Sequence, residues 1–344
     1  MKATLPFINF QSAFRISTSP AISSPREGMK MFTPLRVKAC LVASVAVALL
    51  SVLLPAHASA QSAPPRALTV TVMDKEGGLV TGLGRESFTV LDGGRPSEIL
   101  SFNAGDMPAT VGVLLDASAS MSTARREYVR EALARFLKGS HPSNEFFLIA
   151  FNQRPQLLQG LTGDPAAVFD AARRYAAVEP KGFTAIYDSL YLALNQAARG
   201  RHAKRAVVLV TDGQDNISRY NFKELTRQLK ESDVAVYAVG IFGPNDETSL
   251  GYGGRAILEE LAGLSGGRVF FPETERDLNA AFDDLAKELR NQYVIGFAPA
   301  NAGGRDGWHE VRVKLGEVRA AGKKVKAFAR TRSGFYDVLP PQSR

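Results

Sequence analysis

The chain has 344 residues, 45% hydrophobic and 22% charged, with 30 Gly and 18 Pro. That balance is globular and excludes a disordered or collagen-like chain, and the single Cys excludes an intramolecular disulfide. The formal net charge of +8 is concentrated at the start: residues 1–60 hold six basic residues against Glu27, leaving 36 basic and 33 acidic residues and a net of +3 beyond them. So small an excess predicts no nucleic-acid partner.

In chain order, Arg36 and Lys38 precede an uncharged run from Ala39 to Ala56, which ends in Ala58-Ser59-Ala60 before Gln61. A basic stretch, an apolar stretch and a small-x-small site form the layout of a signal peptide, so residues 1–60 read as a leader cleaved near Ala60. The alternative is an N-terminal membrane anchor, which a run of that length just allows but Pro55 interrupts. Residues 1–28 are long and polar for such a leader, and a start at Met29 or Met31 gives an ordinary one. Cys40 opens the apolar run rather than following it, which does not fit a lipoprotein. No later apolar stretch is long enough to span a bilayer. The expected location is secreted or periplasmic, with no stable membrane span after cleavage.

Segments 67–74 (ALTVTVMD), 87–92 (SFTVLD) and 98–104 (EILSFNA) alternate apolar and polar residues around Gly-Gly pairs at 77–78 and 93–94. Period two predicts short antiparallel strands within 61–108. From Thr110 the pattern becomes continuous apolar runs alternating with helical periods. Strands are expected at 111–116, 145–151, 206–212, 234–241 and 267–271, and helices at 123–138, 165–177, 185–198, 221–230, around 257–264 and at 275–290. Apolar strands between amphipathic helices predict an α/β fold with a doubly wound, mainly parallel sheet over 109–290. Segments 292–298, 309–315 and 324–330 return to alternation. Neither terminal set of strands makes a stable domain by itself, so 291–337 is expected to pair with 61–108 in a small β-sandwich flanking the α/β domain.

Ligands of a doubly wound sheet gather beyond the carboxyl ends of its strands. Two strands end in an acid there, at Asp116 and Asp212. The first continues as Asp116-Ala117-Ser118-Ala119-Ser120, a carboxylate and two hydroxyls at alternate positions on a loop entering a helix. All-oxygen donors with few charges suit a hard cation, Mg²⁺ before Mn²⁺ or Ca²⁺, with a coordination position left for an outside ligand. The alternative is that Ser118 and Ser120 merely cap the helix at 123. Asp215 and Asn216 are expected in a solvated turn, the alternative being that they support the metal ligands. Arg201, His202, Lys204 and Arg205 are expected in a solvated basic loop, and Gly251–Gly254 in a flexible loop near the metal end of the sheet. The His residues lie far apart, without zinc spacing.

DASAS at 116–120, GFTAIYDSL with Thr184, and VVLVTDG with Asp212 together resemble the von Willebrand factor type A domain with its metal-ion-dependent adhesion site. The resemblance covers about 109–290 and implies five metal ligands: Asp116, Ser118, Ser120, Thr184 and Asp212. It also implies a non-enzymatic adhesion module, in which the Asp or Glu carboxylate of a protein partner completes the coordination of Mg²⁺ (or Mn²⁺ or Ca²⁺). The flanks VMDKEGGLVTGL, FTVLDGG, QYVIGFAP and SGFYDV resemble bacterial secreted VWFA-related domain proteins. Two other readings remain open to the sequence. One is a Mg²⁺-dependent hydrolase similar to haloacid dehalogenase phosphatases, although the acid they need two residues after the nucleophile is here Ser118. The other is an envelope scaffold with a vestigial metal site.

Overall fold

A computed structural model describes residues 64–177, 181–211, 214–242, 249–299, 307–320 and 323–336. The leader expected at 1–60 lies outside them. In order, the elements are β1 (Arg66–Asp74), β2 (Phe88–Asp92), β3 (Arg95–Ser97), β4 (Ile99–Ala104), β5 (Thr110–Asp116), α1 (Thr123–Gly139), β6 (Glu145–Phe151), β7 (Pro155–Thr162), α2 (Pro165–Ala177) and α3 (Ile186–Ala198). There follow β8 (Arg205–Thr211), α4 (Phe222–Glu231), β9 (Val234–Gly240), α5 (Ser249–Ser265), β10 (Val269–Phe270), α6 (Glu275–Arg290), β11 (Tyr293–Phe297), β12 (Trp308–Leu315), β13 (Val318–Ala320), β14 (Lys323–Val325), β15 (Ala327–Arg330) and β16 (Gly334–Tyr336).

The central sheet has the order β10-β9-β8-β5-β6-β7, with all neighbours parallel except the antiparallel edge strand β7. Its central strands β5, β6, β8 and β9 are apolar on both faces because both are covered. Val111, Val113 and Leu115 pack with α1, α2 and α6, while Leu114 packs with α3, α4 and α5 through Ile186, Leu225 and Leu258. Gly112 shows how tightly the second face is filled. It pairs with Phe147 on β6, and a Cβ there would stand 2.2 Å from the Phe147 ring. The fold class is the one expected.

Two further sheets, β15-β1-β11-β4 and β16-β12-β2-β3, interleave strands from the two ends of the described chain. β1 lies between β11 and β15, and β12 between β2 and β16, so neither end completes a sheet without the other. A core that includes Leu68, Val70, Val90, Ile295, Phe297 and Val311 fills the space between the sheets. The strand expected at 324–330 is corrected: its alternation is continuous, but its partner changes at Lys326. Residues 323–325 form a ribbon with β13, whereas 327–330 join β1. The loop expected at Gly251–Gly254 is also corrected, since it is helical backbone at the start of α5.

The sandwich meets the α/β unit around the C-terminal end of α6. Arg290 pairs with Asp106, and Lys204, only 2% exposed, donates from Nζ to the Leu289 carbonyl at 2.6 Å. A cation at a helix C-terminus satisfies an orphan carbonyl and faces the negative end of the helix dipole. Lys204 is therefore not the solvated residue the sequence suggests. Burial lowers its pKa from 10.5 to about 8, with Asp106 acting in the opposite direction. Between those two values the unfolded chain holds a proton that the folded chain has released, so stability contributed here rises with pH. Below about 8 both states are protonated and the cost of burying the charge is present in full. Urea denaturation at pH 8 and pH 10 is expected to show this rise in the wild type relative to Lys204→Met, which lacks the titrating group.

Candidate functional site

Asp116 ends β5 fully buried, at the carboxyl edge of the sheet. Its Oδ1 accepts from the Ser118 amide at 2.8 Å and its Oδ2 from the Thr211 hydroxyl at 2.7 Å. The first bond folds the chain back so that Ser118 and Ser120 come together, their hydroxyl oxygens 2.9 Å apart. Neither serine caps the following helix. Ser122 does so, its Oγ accepting from the Arg125 amide at 3.3 Å. This removes the capping alternative and leaves the two hydroxyls beside a buried carboxylate.

The loop is tied to its neighbours through the backbone. Ala117 donates to Phe151 O, Ala119 to Gly182 O, and Lys181 to Ala117 O. Gly182, with φ of 82°, occupies the left-handed region that favours glycine. The 181–184 segment is bonded in turn to the loop after β8: Thr184 N donates to Asn216 Oδ1 at 2.8 Å, and Asn216 N donates to Thr184 O at 3.1 Å. The same loop serves the N-terminus of α3, whose own N-cap residue, Ala185, has no side-chain acceptor. Tyr187 N donates to Asp215 Oδ2 and Asp188 N to Ser218 Oγ. The Asp188 carboxylate returns the bonds by accepting from the amides of Arg219 and Tyr220.

Of the five residues the sequence singles out, the fold therefore gathers Asp116, Ser118 and Ser120 and holds Thr184 on an adjoining, cross-tied loop. Asp212 lies outside the described residues. Asp215 and Asn216 are corrected: they are not in a merely solvated turn but join the Thr184 loop and α3 to the strand-end loop. Thr211 escaped the sequence reading altogether. Its signal was a hydroxyl closing the otherwise apolar run AVVLV.

Behind the loop lies a buried cation. Arg126, 0% exposed in the first turns of α1, stacks on the Tyr175 ring and donates from Nη1 to Tyr175 O at 2.9 Å. Its Nε and Nη2 have no hydrogen-bond partner among the described residues. The Tyr175 hydroxyl donates to the Asp116 carbonyl at 2.5 Å. Burial first, and then the Asp116 charge, raise the Tyr175 pKa well above the ordinary tyrosine value, with Arg126 acting against them. The hydroxyl is therefore a permanent donor. Positive charge beneath a site attracts an anion to it, more strongly where water is excluded.

Among the described residues no three His, Cys, Asp or Glu side chains gather as a metal site. Hydroxyl oxygens would therefore have to supplement the carboxylates, and the donor set of Asp116, Ser118 and Ser120 fits a hard cation on that chemistry.

A doubly wound domain with an oxygen-donor loop at the carboxyl edge of its sheet is the class defined so far. Residues 111–214 match the von Willebrand factor type A domain family, and the chain carries such a domain. Domains of this family typically mediate protein–protein interaction or adhesion. The chain is 26% identical over 208 residues to inter-alpha-trypsin inhibitor heavy chain H4 of Homo sapiens, a match covering 57% of this chain and 22% of that protein. It is 23% identical over 209 residues to the Sus scrofa protein of the same name, with the same coverage of each. The chain thus spans about a fifth of the length of the curated relatives it matches. Solved structures similar to it include a von Willebrand factor type A protein from Catenulispora acidiphila, at TM-score 0.45 and 15% identity, covering 81% of this chain and 75% of that one. Another is the vWF domain of the type V pili tip protein Mfa5 from Porphyromonas gingivalis, at TM-score 0.43 and 14% identity, covering 54% and 95%.

Proposed function

We propose that this chain is an extracytoplasmic, metal-dependent protein-binding module whose partner presents an Asp or Glu carboxylate. Asp116, Ser118, Ser120, Thr184 and Asp212 would hold the cation, Mg²⁺ by preference. When bound, it supplies a compact positive charge with a coordination position open to an outside oxygen. The observation that carries the reading is the buried Asp116 carboxylate, fixed by two hydrogen bonds against two serine hydroxyls that cap nothing. Two others support it. Arg126 places a buried cation behind the loop, two of its guanidinium nitrogens without a hydrogen-bond partner among the described residues, which offsets the Asp116 charge and eases the approach of an anionic partner. At the rim, Phe183 beside Thr184 is 56% exposed and Ile217 beside Asn216 is 42% exposed, the kind of apolar surface a protein partner covers.

The extracytoplasmic part of the proposal rests on the leader pattern at 1–60. Among the described residues no helix is long and apolar enough to cross a membrane. The test is calorimetric titration of the purified chain with Mg²⁺ in the presence of an Asp-containing peptide. Saturable binding of the metal, together with peptide binding abolished by EDTA, is the expected result. Peptide binding indifferent to EDTA, or no metal uptake even with the peptide present, would overturn it.

A further inference from the structure

We propose that the binding face includes a second pocket, adjoining the metal loop, which takes a bulky apolar side chain from the same acidic partner segment. The proposal builds on the reading of Asp116 and its neighbours as a carboxylate-binding centre. The pocket is a cleft of about 180 Å³ between the β6–β7 hairpin and α2. Ala117, Phe151, Leu158 and Tyr175 form its apolar wall, and Arg154 and Arg174 stand at its mouth.

The cleft shares Ala117 with the metal loop. Ala117 follows Asp116 directly and donates to Phe151 O at 2.6 Å, while the Asn152 carbonyl accepts from Ala185, next to Thr184. A segment placing a carboxylate over the strand-end loop therefore runs past the cleft within a residue or two. At ~30 Å³ per water the volume equals about six waters. That is space for one Leu- or Phe-sized side chain and too little for a drug-sized ligand. Water against such walls finds few partners, and an apolar side chain displacing it gains the hydrophobic contribution.

The charges specify the rest of the occupant. Arg154 makes no hydrogen bond or ion pair among the described residues, and Arg174 has one long contact, to Leu158 O at 3.4 Å. Arg126 lies behind Tyr175 on the far side of the wall. Two guanidinium groups at the mouth of one apolar cleft, with a third buried behind its Tyr175 wall, complement an apolar residue set among acids and oppose one set among bases.

The experiment uses short synthetic peptides in a Gly/Glu frame, each with one Asp and, at varied spacing from it, either Leu or Ala. Binding to the full chain is measured by fluorescence anisotropy with Mg²⁺ and with EDTA. At the favoured spacing the Leu peptide is expected to bind about tenfold more tightly than its Ala counterpart. Gln156→Trp, which fills the cleft from an exposed position on β7, is expected to erase that difference while leaving Mg²⁺ binding intact. Equal affinities at every spacing, no binding of either peptide, or a Leu preference that survives Gln156→Trp would each overturn the subsite. Equal binding that needs Mg²⁺ would remove the cleft and keep the metal centre. A Leu preference that persists in EDTA would keep the cleft and remove the metal centre.

Discussion

Asp116→Ala is expected to reduce Mg²⁺ affinity by more than ~100-fold, because loss of groups that merely orient metal ligands already costs 10–100-fold. On its own loop Asp116 has no substitute carboxylate, since its neighbours there are alanines and serines. The same substitution removes the acceptor of the Ser118 amide and one partner of the Thr211 hydroxyl, a lost buried hydrogen bond costing about 1–3 kcal/mol where the group is left unsatisfied, while removing a buried charge that is itself unfavourable. The two effects oppose each other in the metal-free protein, so its circular dichroism and urea midpoint should move far less than its metal affinity. Thr211→Val separates orientation from ligation. It keeps the shape and the β-branch of β8 but removes the hydrogen bond to Asp116 Oδ2, and a loss of about tenfold in affinity is expected. Calorimetry on the two variants beside wild type makes the comparison. Affinity retained in Asp116→Ala would show that any bound metal sits elsewhere.

How far the sequence could be read depended on how local the determinants were. Helices at 165–177 and 275–290 are found with the bounds the periodicity predicts, because their apolar faces are written within single segments. Strand β7 was missed because its residues are neither continuous apolar nor cleanly alternating, and its pairing with β6 is irregular. Strands β3 and β16 are three residues each, too short to carry a period. In the site, D-x-S-x-S was legible because all its donors lie within five residues. The partnership of Asn216 with Thr184 and of Thr211 with Asp116 crosses 32 and 95 residues. No local pattern reports such pairs; they exist only once parallel strands have brought separate loops to one edge. Lys204 was misread for the same reason, its burial being created by the arrival of α6 from 85 residues away.

The same non-local logic concentrates the largest stability effect at Glu288, which is 1% exposed on α6. Its Oε1 accepts from the Thr71 hydroxyl of β1 at 3.2 Å and the Tyr237 hydroxyl of β9 at 2.7 Å, and it pairs with Arg330 of β15. Gln292 completes the group by donating to both Thr71 and Tyr237. Burial, and then the Glu288 charge, hold the Tyr237 pKa well above the ordinary tyrosine value, so its hydroxyl remains a donor. One carboxylate thus joins the sandwich, the parallel sheet and the last helix. Glu288→Ala leaves the Arg330 charge and the Tyr237 hydroxyl without their acceptor, and removal of one partner from a buried pair costs about 3–5 kcal/mol. Urea denaturation should register a loss of that size, whereas Glu310→Ala, which breaks the exposed pair with Arg312, should leave the midpoint unchanged. Combining Glu288→Ala with Arg330→Met removes the stranded charge as well, so the double variant should recover part of the loss. The non-additivity measures the coupling. A Glu288→Ala midpoint no lower than that of Glu310→Ala would mean that apolar packing of α6 against α1 and the parallel sheet, through Phe282, Leu285 and Leu289, holds the helix in place without the ion pair.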